Sequence, residues 1–265
     1  MEIGVQPLRL ISLASTTSTM IDARRLTEEG YPHAAIVRAD TQTQGRGRIE
    51  DRRWFDAPGA SLLMTLILPA EMGLPEALPL KAGLGVLRAL RQASGRELLL
   101  KWPNDVVMPL EESEAPLRFA KICGILCESA GSRGLVGIGI NIRKASCALV
   151  ASGCPAISLE ELCPQLPDAF SDLDRAALHV GSFILKAMED ADWMRFYEEC
   201  MWGKGLRVRF LAGHPASGQY IEGILEGINP DGSIRIRTGE GDKPCRSYAS
   251  GEISELRPAL QSGLP

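Results

Sequence analysis

Apolar and polar residues alternate in Leu8-Arg9-Leu10-Ile11-Ser12-Leu13, the period of a strand with one covered face. Ser18 or Thr19 then stands where a helix cap belongs, ahead of a run through Asp22, Arg25 and Leu26 that stops at Gly30. Residues 34–38 and 61–68 read as strands, while Leu80, Leu84, Leu87 and Leu90 recur at helical spacing until Ser94-Gly95. Glu97-Leu98-Leu99-Leu100 is a further apolar strand. Pro103 cannot donate to a ladder, so the residues after it are expected to emerge into a loop. The runs from Lys121 to Glu128 and from Leu135 to Ile142 flank the turn Gly131-Ser132-Arg133-Gly134 and predict a hairpin. A helical region spanning 172–200 carries Leu173, Ala177, Val180, Ile184 and Ala187 on one face, to be packed against the sheet. After Trp202-Gly203-Lys204-Gly205 the pattern changes to short strands over 206–210, 220–228 and 233–237, which predicts a small β-barrel. The whole is an α/β (α+β) pattern with an antiparallel component.

A chain of 265 residues with 45% hydrophobic content can bury one large core and one smaller one, so two domains are expected, 1–202 and 203–265. The net charge of −4 argues against a general nucleic-acid binder. Seven cysteines, odd in number and without a Cys-x-x-Cys pair, read as buried reduced thiols. The chain begins without a basic and apolar leader and lacks the roughly 18 consecutive apolar residues of a membrane span, which predicts a cytoplasmic protein. The acidic stretch over 109–116 is expected as an exposed hairpin loop.

Chemistry gathers in four places. Lys101-Trp102-Pro103-Asn104-Asp105 collects a cation, a ring, a carboxamide and a carboxylate at a strand end. In Gln42-Thr43-Gln44-Gly45-Arg46-Gly47-Arg48, alternating Gly and Arg let the backbone approach an anion while guanidiniums reach its oxygens. Lys121 enters an apolar strand that contains Gly124, and the hairpin closes on Gly137-Ile138-Gly139-Ile140-Asn141. Each segment alone also fits a solvated turn or a glycine bulge. His33, His179 and His214 lack metal-like spacing, and neither a Walker loop nor a completed Gly-x-Gly-x-x-Gly occurs.

Taken together and in this order, the four segments closely resemble the successive signatures of biotin protein ligases, a resemblance that begins near Ser18-Thr19 and returns at Gly251-Glu252-Ile253-Ser254. It implies a class II synthetase-like catalytic domain, with a mixed, largely antiparallel sheet flanked by helices, and a small C-terminal SH3-like barrel. It implies two half reactions. Biotin and ATP, with Mg2+, give biotinoyl-AMP and pyrophosphate; the biotinoyl group then passes to a lysine of the biotin carboxyl carrier protein of acetyl-CoA carboxylase or a related carboxylase. By this resemblance Ser18, Thr19 and Gln42 hold the ureido head, with Gly124 beside the biotin, and Lys121 attends the reacting carboxylate. Arg46, Gly47 and Arg48 line the acyl phosphate, with Arg48 retaining the adenylate. Trp54, Lys101, Asn104 and Asn141 belong to the adenylate or ATP site, with Trp102 also near the adenylate. Asp105 either meets the metal through water or receives the acceptor's proton.

Two departures stand out. Met20 follows the Ser-Thr pair where the family usually has Asn, and Ile49-Glu50-Asp51-Arg52-Arg53 is longer than the usual loop and lacks its third glycine. The rival readings are a lipoate or octanoate ligase, which shares the catalytic fold, and a module that holds biotinoyl-adenylate without transferring it. The resemblance implies the monofunctional type without an N-terminal DNA-binding domain; a homodimer remains compatible with it.

Overall fold

The structure, a computed structural model, describes residues 8–47, 57–110, 118–144, 155–213, 218–239 and 245–257. Arg48, the 49–53 segment, Trp54 and most of the acidic stretch lie outside them.

The first alternating segment forms β1 (Arg9–Thr16); α1 (Thr19–Glu28) leads back, and β2 (Ala35–Gln42) lies parallel to β1 with Thr16 opposite Gln42. Every other pairing in this sheet is antiparallel. With β3 (Ser61–Ile67), β4 (Leu99–Lys101), β5 (Asp105–Pro109), β6 (Phe119–Ala130) and β7 (Arg133–Asn141), the order is β1-β2-β3-β7-β6-β5-β4. The mixed sheet flanked by helices is the fold expected.

β3 is buried along its whole length because both its faces are covered. On one side α1 packs Met20 and Ala23 against Val37, Ile67 and Leu135. On the other, Leu62, Met64 and Leu66 join one apolar cluster with Leu84 and Leu87 of α2 (Leu78–Ser94) and the apolar face of a later helix. Each such aliphatic side chain contributes roughly 1.5–3 kcal/mol on burial. The short α3 (Leu159–Leu162) starts in a capping box between Ser158 and Glu161. The 172–200 region is two helices, α4 (Leu173–Met188) and α5 (Trp193–Glu199), not one. Asp190 causes the break: its Oδ1 accepts the Asp192 N–H at 2.9 Å, a local bond that competes with helix continuation. Gly85 lets α2 and α4 touch, since a Cβ there would lie 2.6 Å from the Ile184 Cα.

The C-terminal strands are β8 (Arg207–Ala212), β9 (Gln219–Ile228), β10 (Ile234–Arg237), β11 (Cys245–Tyr248) and β12 (Gly251–Arg257), a small antiparallel sheet in the order β11-β10-β9-β8-β12. Its inward residues Val208, Phe210, Leu225, Ile236 and Ile253 are continuous with the apolar cluster that contains Trp102 and Trp202. No helix among the described residues is long and apolar enough to cross a membrane. The five described cysteines are free. Cys245 departs from the buried expectation, because β11 is an edge strand and leaves it exposed.

Candidate active site

Residues paired directly across strands share a face of the sheet. Leu63, Gly139, Gly124 and Asp105 form one such row across β3, β7, β6 and β5, and Thr65, Gly137 and Leu126 form the next. Leu63 and Thr65 are buried, whereas Gly124, Gly137 and Gly139 are each part-exposed. The glycines therefore floor a shallow lane between larger side chains. On its α1 side the lane is closed over Gly137, where a Cβ would stand 2.8 Å from the Met20 Cε.

Hydroxyls and an amide mark one end. The parallel pairing of β1 and β2 brings their C-terminal ends together, and it continues past them as Thr43 N–H donates to Thr16 O and Gln44 N–H to Thr17 O, both at 2.9 Å. That register sets Gln42 beside the start of α1. Its Oε1 accepts the Thr19 N–H at 2.8 Å and the Thr19 hydroxyl at 3.1 Å, and the Thr19 Oγ1 also lies 2.9 Å from the Thr65 Oγ1. Ser18 occupies the N-cap but its hydroxyl makes no capping bond, so the capping role expected for it is not used. Gly45-Arg46-Gly47 follow directly, with Arg46 exposed.

Charge marks the other end. Asp105 does not sit in a loop: Lys101 pairs with it across a tight β4–β5 turn that contains a cis Trp102-Pro103 bond. A bulge in β6 does the rest. Val106 pairs with Cys123 but Val107 pairs with Lys121, so Ile122 is an extra residue, and Lys121 is turned to the face of Gly124 and Asp105. Its Nζ lies 2.6 Å from the Asp105 Oδ1, an oxygen shut off from solvent. The contact has the distance of an ion pair and not the direction of a hydrogen bond. The neighbouring Cys123 thiol is no nucleophile: burial, and then the Asp105 charge, push its pKa far up against the opposing pull of Lys121.

Other expected site residues have structural partners. The Asn104 side-chain amide donates to Ile125 O, and Ile125 N–H donates back to Asn104 O, both at 2.9 Å. Asn141 donates to both Lys121 O and Ile157 O at 3.2 Å and ties Pro155-Ala156-Ile157 alongside Lys121. Lys101 is buried, with its Nζ 5.2 Å from the Phe119 ring centroid. Trp102 faces the C-terminal sheet, where its Nε1–H donates to Gly232 O at 2.9 Å. Thr65 escaped the sequence reading; its signal is a hydroxyl in the middle of the otherwise apolar run Leu62-Leu63-Met64-Thr65-Leu66-Ile67. Among the described residues no three His, Cys, Asp or Glu side chains converge as metal ligands.

Residues 10–144 match the family model of the biotin/lipoate A/B protein ligases. The chain belongs to that family. It is 30% identical over 249 residues to a biotin--[acetyl-CoA-carboxylase] ligase of Paracoccus denitrificans, covering 86% of this chain and 94% of that one. It is 28% identical to the bifunctional ligase/repressor BirA of Bacillus subtilis, covering 87% of this chain and 70% of the relative. Among solved structures, biotin protein ligase from Aquifex aeolicus in complex with biotin and ATP superposes with a TM-score of 0.73 at 28% identity, covering 95% of this chain and 99% of that one. Within the family, the lane, its hydroxyl end and its lysine end belong to the segment that the family model matches.

Proposed function

We propose that this chain is a biotin protein ligase that makes biotinoyl-AMP and pyrophosphate from biotin and ATP, then hands the biotinoyl group to a lysine of the biotin carboxyl carrier protein of acetyl-CoA carboxylase or a related carboxylase. The observation that carries the reading is the glycine-floored lane with hydrogen-bonding groups at one end and the Lys121–Asp105 pair at the other. A flat, uncharged head needs each polar atom met, and Ser18, Thr19 and Gln42 supply donors and acceptors for it. The acyl chain follows past Gly124 towards Lys121. An ammonium has three donors, so Lys121 serves the incoming carboxylate while still facing Asp105.

Bringing a carboxylate against the α-phosphate sets two anions together, and positive charge fixed beforehand lowers that barrier. Lys121 provides it at the acyl end; Arg46 and Gly47, with Arg48, Trp54, Lys101, Asn104 and Asn141, complete the adenylate side in this reading. A magnesium ion would supply positive charge at the ATP phosphates, and Asp105 would be the carboxylate to meet it through water. Alternatively, in the second half reaction Asp105, the carboxylate facing Lys121, takes the proton of the acceptor amine. We read residues 1–202 as the catalytic domain and 203–265 as the small second one, which the two separate sheets support. The free cysteines and the net charge of −4 favour a cytoplasmic enzyme whose partner is a carrier protein rather than nucleic acid.

Incubating the purified chain with ATP, magnesium, a carrier domain and either biotin or lipoate, then weighing the carrier, tests this. A biotinoyl increment is expected. A lipoyl increment instead would overturn the substrate, and adenylate without transfer would leave only a binding module.

A further inference from the structure

The turn between β4 and β5 supplies Asp105 to the site, yet much of what holds it belongs to the other end of the chain. Leu100 N–H donates to Cys200 O at 2.8 Å and Trp202 N–H donates to Leu100 O at 2.9 Å, so the segment leading into the C-terminal sheet runs as an added strand beside β4. Two residues on from Leu100, the fully buried Trp102 indole donates to Gly232 O and packs against Phe210 of β8 at 5.9 Å between ring centroids. The acceptor is itself held firmly. Asn229 N–H donates to Ser233 O at 2.8 Å and Gly232 N–H to Asn229 O at 2.9 Å. Ser233 N–H and hydroxyl donate to Asp231 Oδ1 at 2.9 and 2.6 Å. Gly232 has a φ of +84°, a backbone conformation that favours glycine, and it abuts Ala77 at the start of α2.

We infer that Trp102 is a positioning residue through which the C-terminal turn Asn229–Ser233 holds the Lys101–Asp105 turn, and so Asp105 beside Lys121, in reacting geometry. Two residues, Pro103 and Asn104, separate Trp102 from Asp105, and Asn104 is pinned to Ile125, so a displaced indole moves the carboxylate and not a slack loop. The hydroxyl end of the lane takes no part in these contacts. Loss of the indole bond therefore slows adenylation without weakening the grip on biotin.

The inference rests on the ligase reading, and the test separates the two. Biotin-dependent exchange of pyrophosphate into ATP is measured for the wild type, Trp102→Phe, Gly232→Ala and the double variant. Trp102→Phe keeps a ring and removes the N–H; its kcat is expected to fall about tenfold with the KM for biotin unchanged. The double variant is expected to be no slower than the slower single one, since both substitutions break one contact. A silent wild type overturns the ligase reading and this inference with it. An active wild type whose Trp102→Phe form melts lower but keeps its kcat overturns the inference alone, as does slowing that multiplies in the double variant. If Gly232→Ala does not fold, the Trp102→Phe comparison decides by itself.

Discussion

Lys121 and Asp105 face one another at 2.6 Å only because β6 carries one residue too many. Without the bulge at Ile122, strand alternation would send Lys121 to the face where Ile125 packs against the helices, and the lane would end in a carboxylate with no cation. Asp105 is shielded enough that an unpaired charge there is costly, so the pair is also a structural unit.

That dual role shapes the first prediction. Lys121→Ala is expected to lower biotin-dependent pyrophosphate release by about a hundredfold or more, the cost of removing one preorganised charge. It leaves Asp105 uncompensated and so also lowers Tm. The double variant with Asp105→Asn is expected to recover the Tm and not the release rate. Undiminished release in Lys121→Ala would refute the role assigned to the lysine.

At the opposite end, the Gln42 Oε1 is occupied by two bonds from Thr19, so the donor that this side chain can offer a ligand is its amide nitrogen. Gln42→Glu keeps the acceptor and deletes the donor. The KM for biotin is expected to rise about tenfold to a hundredfold with little change in Tm, as when a buried hydrogen-bond partner is removed. Steady-state kinetics on the carrier reads this; an unchanged KM would move the ureido head elsewhere.

The lane offers a cleaner separation of folding from function. Gly124 and Gly139 lie opposite one another on part-exposed ladder positions, where a β-branched residue suits a strand better than glycine. Gly139→Val is therefore expected to hold or raise the Tm while abolishing biotin binding in calorimetry. Retained binding would show that ligand does not cross this row.

How much of this could be read from the sequence depends on how local each cause is. The β6–β7 hairpin and the opening of β1 into α1 follow from alternation and turn residues, which act over short stretches, whereas Thr19 and Gln42 are marked by the resemblance alone. The direction of the Trp102 indole has a distant cause: its partner, Gly232, lies in the last quarter of the chain, and nothing in Lys-Trp-Pro-Asn-Asp says which way an indole will face. Asn104 and Asn141 are ligand groups by type, and the sequence does not show that each amide also meets a backbone carbonyl of β6, an inner strand of the sheet. The α4–α5 break is a case of a side chain, Asp190, outcompeting a helical period that continues on both sides.

Glu198 was also invisible in the sequence, and it carries the last prediction. From α5 it accepts from Lys204 Nζ at 2.6 Å, from Arg235 at 3.2 Å and from the Ile228 N–H at 3.0 Å, joining the helix, the connecting segment and the C-terminal sheet. Burial pushes its pKa up, but the Lys204 hydrogen bond, the Ile228 N–H and the two cations together bring it below the ordinary carboxylate value of 4.5. A carboxyl whose folded-state pKa is depressed stabilises the fold fully above its unfolded value, and that contribution is lost as pH falls through the folded one. Glu198→Gln is therefore expected to cost about 2 kcal/mol near pH 7, the worth of hydrogen bonds to a charged group. The gap from the wild type should narrow below pH 4.5 as the native carboxyl takes up its proton. Denaturant melts of both proteins at neutral and acid pH read the difference; a gap that stays constant across that range would show that the Glu198 charge does not hold the C-terminal sheet to α5.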